Sequence, residues 1–360
     1  MSTVDQRPVL ITGGAGFIGS NLADRLAADG HDVVVYDALS RDGVERNLQW
    51  LQQRHPGRIG VMIDDVRDAD RLADAVGEAK AVFHMAAQVA VTTSLADPAE
   101  DFGINIQSSF HLLEALRTRA PDTPLIFAST NKVYGDLSRI ELALGEEGYA
   151  PVEDSIARNG VSEAEPLDFH TPYGCSKGAA DQYVLDYARS FGLRAAVMRM
   201  SCIYGQRQMG TEDQGWVAHF LIRALHGQPI TIYGDGHQVR DILHVDDAVA
   251  AYLGAWGKID EVRGRAFNLG GGVENAVSLR TLIDHIGTLL GRAVDLRFEP
   301  WRAGDQRYFV ADTQRVEREL GLSAKLGWRE GVERLARWLA SERGLPAPRR
   351  AAAPALVTAS

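Results

Sequence analysis

A chain of 360 residues, 45% hydrophobic and 24% charged, has ordinary globular composition and room for two domains, which excludes disorder or coiled coil for its bulk. A net charge of −10 without any Lys/Arg run disfavours a nucleic-acid binder, which would carry a basic stripe. Two cysteines, Cys175 and Cys202, are too few for a disulfide framework and lack zinc-ligand spacing, so no metal is expected and a reducing compartment fits.

Residues 1–8 are polar, and no stretch approaches the roughly 20 apolar residues of a membrane span; the expectation is a cytoplasmic protein. In chain order, a short apolar run at 9–11 is followed by a glycine cluster and a helical pattern over 17–28. Further apolar runs at 33–35, 61–63, 81–83, 125–127 and 195–197 are separated by predicted helices, among them 45–53, 68–76, 101–117 and 173–189. Continuous apolar strands alternating with helices predict an α/β Rossmann fold, a doubly wound parallel sheet buried on both faces. After residue 200 the rhythm changes. Helices at 215–225, 247–256, 278–290 and 331–339 alternate with short β-like pieces such as 230–232 and 266–268, as in a smaller mixed α/β substrate-binding domain. The expected division is 1–200 with a return of about 239–260, a second domain over 201–344, and an Ala/Pro-rich flexible tail over 345–360. Ligands belong in the crevice at the carboxyl ends of the strands.

Thr12-Gly13-Gly14-Ala15-Gly16-Phe17-Ile18-Gly19 lies between the first strand and the first helix. Gly13 suits a tight turn, Gly16 lets amides approach a pyrophosphate and Gly19 lets helix pack on strand, while the helix start at Phe17 and Ile18 offers its dipole to phosphates. Asp37 ends the second strand, where an acid accepts hydrogen bonds from ribose hydroxyls and repels the extra phosphate of NADP. The motif therefore predicts NAD, with Ser40 and Arg41 close by. Asp65 and Val66 follow the third strand; Asp65 suits the adenine amino group, or else caps the helix starting near Asp68. Ala86 and Ala87, small residues after the fourth strand, let the backbone lie against the cofactor, with Gln88 next.

Tyr173 and Lys177 stand four apart on a predicted helix and share one face. Tyrosine is a poor base at its usual pKa of about 10, and an ammonium beside it favours the phenolate, making Tyr173 a candidate base for a sugar hydroxyl. Thr130, at the end of the strand near 125–128, can hydrogen-bond the same hydroxyl. With the glycine motif these features resemble the extended short-chain dehydrogenase/reductase family, the NAD-dependent epimerases and dehydratases, from residue 8 to about 340. The resemblance implies a nucleotide-sugar substrate, Tyr173 and Lys177 touching cofactor as well as sugar, and a cofactor role for Asn105. It also covers Arg240-Asp241 and Arg302-Ala303-Gly304-Asp305, and implies that Arg240 and Arg302 bind the diphosphate, a geometry that suits the guanidinium fork. The alternative for Arg240 is a salt bridge to Asp241 or another nearby acid.

Members that dehydrate the sugar carry an acid just after the Ser/Thr, whereas here the pair is Asn131-Lys132. Epimerisation needs no such acid. Ser129–Leu137, Leu167–Pro172, Ala180–Tyr183, Asp213–Val217, Gln238–Asp241 and Asp305–Arg307 are similar to the group of CDP-paratose (CDP-tyvelose) 2-epimerases, as is the long acidic segment between Asp136 and Tyr173, expected as a loop over the sugar. That resemblance implies oxidation at sugar carbon 2, rotation of the keto sugar and reduction from the other face. Gln88, Ser94, Asn131 and Lys132 are the candidates for orienting the sugar, and Cys202, Gln214 and Asp305 complete the candidate substrate site. Cys202 stands where most of the superfamily has asparagine, and a small buried residue is a better reading than a reactive thiol. The alternatives are 4-epimerisation of an NDP-hexose, as in UDP-glucose 4-epimerase, and a non-catalytic NAD-sensing protein. Family resemblance implies a homodimer or homotetramer.

Overall fold

Seven short apolar runs pair in parallel in the computed structural model, which describes residues 5–302, 304–322 and 325–348. Numbered within this sheet they are β1 (Val9–Thr12), β2 (Val33–Tyr36), β3 (Ile59–Met62), β4 (Ala81–His84), β5 (Leu125–Thr130), β6 (Ala195–Met200) and β7 (Ala266–Leu269). Their order is β7-β6-β5-β4-β1-β2-β3, with Ile11 level with Val35 on one side and Phe83 on the other. Because side chains alternate along a strand, Val9 and Ile11 enter one core while Leu10 enters the opposite one. Helices Phe17–Ala28, Val44–Arg54 and Val245–Gly257 cover the first face. Helices Ala69–Gly77, Ser108–Arg119 and Thr171–Phe191 cover the second. Strand order reverses between β1 and β4, which opens a crevice at their carboxyl ends.

The second half packs helices Trp216–Leu225, Leu279–Leu290 and Trp328–Glu342 into a separate core. At its centre Val239–His244 pairs with Cys202–Tyr204, Ala276–Ser278 and Tyr308–Phe309. The return to the first layer differs from 239–260: strand Val239–His244 belongs to the smaller sheet, and helix Val245–Gly257 packs on the first core. The run at 266–268, expected in the smaller domain, is the outer strand β7 paired with β6, and Val316 and Leu320 of helix Gln314–Leu320 join the same core. β6 would otherwise present an unpaired edge.

Two further departures matter for the site. The single helix expected over 101–117 is Pro98–Phe102, a π-helical turn Gly103–Gln107, and Ser108–Arg119. The segment after Asp136 forms an antiparallel hairpin, Leu142–Gly145 with Gly148–Pro151, and a short helix Asp154–Asn159. Tyr149 N donates to the His237 carbonyl oxygen at 3.0 Å and its hydroxyl to Asp235 Oδ2 at 2.6 Å. None of residues 136–172 lines either cavity described below, so the segment braces the second domain's rim instead of covering the sugar. Of the expected tail, 345–348 are described and 349–360 lie outside the described residues, as does Ala303.

Candidate active site

Two adjoining cavities of about 420 and 400 Å³ open at the carboxyl edge of the sheet. The glycine turn, Phe17, Ile18, Asp37, Ser40, Arg41, Asp65, Val66, Ala86 and Ala87 line the first. Gly13 has φ of +67°, and a Cβ there would stand 2.7 Å from Ala86 N; one on Gly19 would stand 2.3 Å from Gly13 O. Such contacts leave room only for glycine. Gly16 caps the first helix without any side-chain cap bond, which leaves amides at the helix start for phosphate. Asp37 Oδ2 accepts from Ala15 N at 3.0 Å and Oδ1 from Leu39 N at 2.9 Å. Each carboxylate oxygen keeps a lone pair for a vicinal diol. This turn, helix end and anchored acid fit a dinucleotide.

Asp65 is not the helix cap: Asp68 performs that role by accepting from Arg71 N. Asp65 instead pairs with Arg67, Oδ2 to Nη2 at 2.6 Å, and Arg67, which the sequence did not single out, lines the same cavity. Three expected ligand groups bind protein rather than line a cavity. Gln88 folds its amide onto Ala90, donating to Ala90 O at 2.8 Å. Fully buried Ser94 donates to Val91 O and accepts from Tyr173 N at 3.1 Å. Asn105, in the π-helical turn, exchanges hydrogen bonds with the Gln88 backbone at 3.0 Å and reaches Ser176 Oγ at 3.0 Å. These side chains tie the loop after β4 to the helix carrying Tyr173.

Thr130 and Tyr173 line both cavities and form part of the wall between them. Thr130 Oγ1 accepts from Lys132 N at 3.2 Å, and burial pushes the Tyr173 phenol up to about 12 although Thr130 opposes this. Lys177 is 3% exposed, donates to the Ala128 carbonyl oxygen at 2.6 Å and sits 4.5 Å from the Phe127 ring centroid. Burial lowers its ammonium to about 8, against the fields of Asp181 and Asp101. Phe127 stacks in turn on His84, centroids 5.6 Å apart. Burial drives that imidazole down to about 3, so it is neutral, and it is hydrogen-bonded to Thr12.

Asn131, Lys132, Cys202, Gln214, Arg240, Arg302 and Asp305 line the second cavity. Lys132 Nζ donates to Gly304 O at 3.2 Å. Arg240 pairs with Asp305 at 2.8 Å, whereas Asp241 turns away to Ser201 and the amides of Gly272 and Ala311. Arg302 lies 3.8 Å over the Tyr233 ring centroid, with Glu212 and Asp213 within 3.5 Å. Burial raises the Cys202 thiol, which keeps it protonated and inert. Gln306, fully buried, donates to Gly135 O and accepts from Asn131 Nδ2 at 3.4 Å. It lay within a string read only as a resemblance, and no local pattern marked it as the link between the two domains.

A model of the NAD dependent epimerase/dehydratase family matches residues 9–270. The chain is 42% identical over 342 residues to the CDP-paratose 2-epimerase of Salmonella typhi, covering 92% of this chain and 99% of that one. Among solved structures, the UDP-glucose 4-epimerase of Thermotoga maritima with UDP-glucose aligns with a TM-score of 0.80 at 30% identity, over 93% of this chain and 99% of that chain. The UDP-glucose 4-epimerase of Thermus thermophilus in complex with NAD aligns with a TM-score of 0.76 at 29% identity, over 92% and 98%.

Proposed function

The chain belongs to the NAD dependent epimerase/dehydratase family, and on that premise we propose that it inverts carbon 2 of a CDP-linked deoxyhexose such as CDP-paratose. It is an NAD-dependent nucleotide-sugar epimerase. The observation that carries the reading is the shared wall. Thr130 and Tyr173 stand between a cavity shaped for the dinucleotide and one lined by arginines, so one sugar hydroxyl can meet both.

The glycine turn, Asp37 and the wall at Ala86 and Ala87 would hold NAD, which would supply the hydride acceptor and donor. Thr130 anchors the sugar hydroxyl, and Tyr173 removes its proton as the carbon is oxidised, then returns it on reduction. Lys177 stabilises the phenolate from behind. Arg240 and Arg302 hold the diphosphate while the keto sugar turns. The turning sugar meets Asn131 and Lys132, neither of them the acid that the dehydrating members carry after the Ser/Thr, which favours epimerisation over dehydration. The 42% identity to a 2-epimerase favours carbon 2 and the cytidine nucleotide.

Incubation with CDP-, UDP- and dTDP-sugars, read by proton couplings at carbons 2 and 4, tests this. Inversion at carbon 2 of a CDP-sugar is expected, and inversion confined to carbon 4 would establish the second reading, which the Thermotoga likeness favours. The enzyme is taken to be a homodimer or homotetramer. Support comes from a row of exposed aromatics, Phe110, Tyr183 and Phe191, on helices Ser108–Arg119 and Thr171–Phe191, and sedimentation velocity decides it. Two free cysteines suit the cytoplasm, and among the described residues no helix is long and apolar enough to cross a membrane.

A further inference from the structure

Two buried carboxylates flank Lys177 and differ in what neutralises them. Asp181, one turn further along the same helix, receives two guanidinium nitrogens of Arg199 at 2.9 Å and the Ser129 hydroxyl at 2.7 Å. Asp101 is just as enclosed, at 1% exposed. Yet among the described residues no Lys, Arg or His nitrogen lies within 4.0 Å of it. Its hydrogen-bond partner is neutral, the Asn105 amide at 3.1 Å, which also reaches Ser176 Oγ at 3.0 Å. Ser176 sits in the helical turn between Tyr173 and Lys177, and its hydroxyl also reaches the Tyr173 carbonyl oxygen at 3.2 Å. A carboxylate buried without a cation is unfavourable, and the cation whose field it feels is Lys177.

We propose that Asp101 is the counter-ion of Lys177. Held by Asn105, which also bonds Ser176 in the turn that carries the reactive pair, it keeps the buried ammonium charged and sets the pH range in which Tyr173 and Lys177 work. It is a positioning residue that acts through Lys177, and the idea rests on the reading of that pair given above. The groups facing Lys177 are few. Asp181 and Tyr173 lie on its own helix, Asp101 comes from helix Pro98–Phe102, and His84 comes from β4 as a neutral ring. Asp181 raises the ammonium more than Asp101 does, but it is already paired with Arg199, which leaves Asp101 as the carboxylate without a charge partner of its own. The same charge opposes ionisation of Tyr173, so removing it lets both protons leave at lower pH.

Asp101→Asn keeps the shape and can keep neutral hydrogen bonds. The expected result is a kcat–pH profile displaced to lower pH by about one unit or more on both limbs, with NAD still bound. A profile that loses height without moving would mean a merely structural role and overturns the proposal. The second readout needs no turnover, so it separates failure here from failure of the proposed reaction. In protein labelled with ¹⁵N at lysine Nζ, the Lys177 signal should titrate near pH 8 in the natural chain and clearly lower in Asp101→Asn. Equal midpoints overturn the counter-ion role. If the variant does not fold, a Lys177 already neutral at pH 7 in the natural chain does the same.

Discussion

A phenol buried beside an ammonium feels two opposing pulls on its proton. Burial holds Tyr173 near 12 and Asp101 adds to the rise, so the proposed mechanism requires Lys177 and a bound cofactor to supply positive charge. Replacing Tyr173 by Phe removes the proton carrier without opening a cavity. The expected loss is about 10²- to 10⁴-fold in kcat with NAD retained in the isolated protein, checked by product formation and by the absorbance of released cofactor. Near-normal turnover would contradict the assignment. At this scale the sequence was legible where chemistry and position coincide: Asp37 at a strand end, Thr130 at another, Tyr173 and Lys177 on one helical face. It did not show that Gln88, Ser94 and Asn105 bond to protein groups. Their types suit a ligand, but a side chain's direction depends on which backbone groups need partners, and here Ala90, Tyr173 and Gln88 claim them.

Among the elements, the hairpin Leu142–Gly145/Gly148–Pro151 reaches the second cavity indirectly. Tyr149 bonds Asp235, and Arg307 lies 5.5 Å from the Tyr149 ring centroid and 5.4 Å from that of Trp301. The hairpin thereby steadies the segment that carries Arg302 and Asp305. Tyr149→Ala gives up a hydrogen bond to a carboxylate as well as this stack. We expect KM for the nucleotide sugar to rise about tenfold with kcat little changed, measured by initial rates; an unchanged KM would leave the hairpin without influence on the site. The α/β alternation of the first 200 residues could be read from sequence because doubly buried strands are continuous apolar runs. The hairpin could not. Leu144 and its neighbours are largely exposed, so no apolar face marks them. β7 was readable as a strand, but its sheet was not, since pairing with β6 is a long-range contact.

For the whole molecule, burial lowers five histidines, His31, His84, His219, His244 and His285. In the unfolded chain these rings take a proton at about 6.5, while in the fold they stay neutral to lower pH. Unfolding therefore takes up protons in that window. The stability is present above about pH 6.5 and is lost as pH falls toward the folded values. The melting temperature should drop by several degrees between pH 7 and pH 5, followed by calorimetry at constant ionic strength; a flat profile would contradict the neutral assignment.

On the proposed mechanism the shared wall of Thr130 and Tyr173 lets hydride leave a sugar carbon while the proton leaves the hydroxyl oxygen on it. That central claim is tested most directly with the CDP-sugar deuterated at carbon 2, by following the label into the epimer by NMR and mass spectrometry. Transient oxidation at carbon 2 predicts that deuterium stays on carbon 2 of the product with no net reduced cofactor. Complete loss of the label to water would show proton abstraction instead and contradict the account.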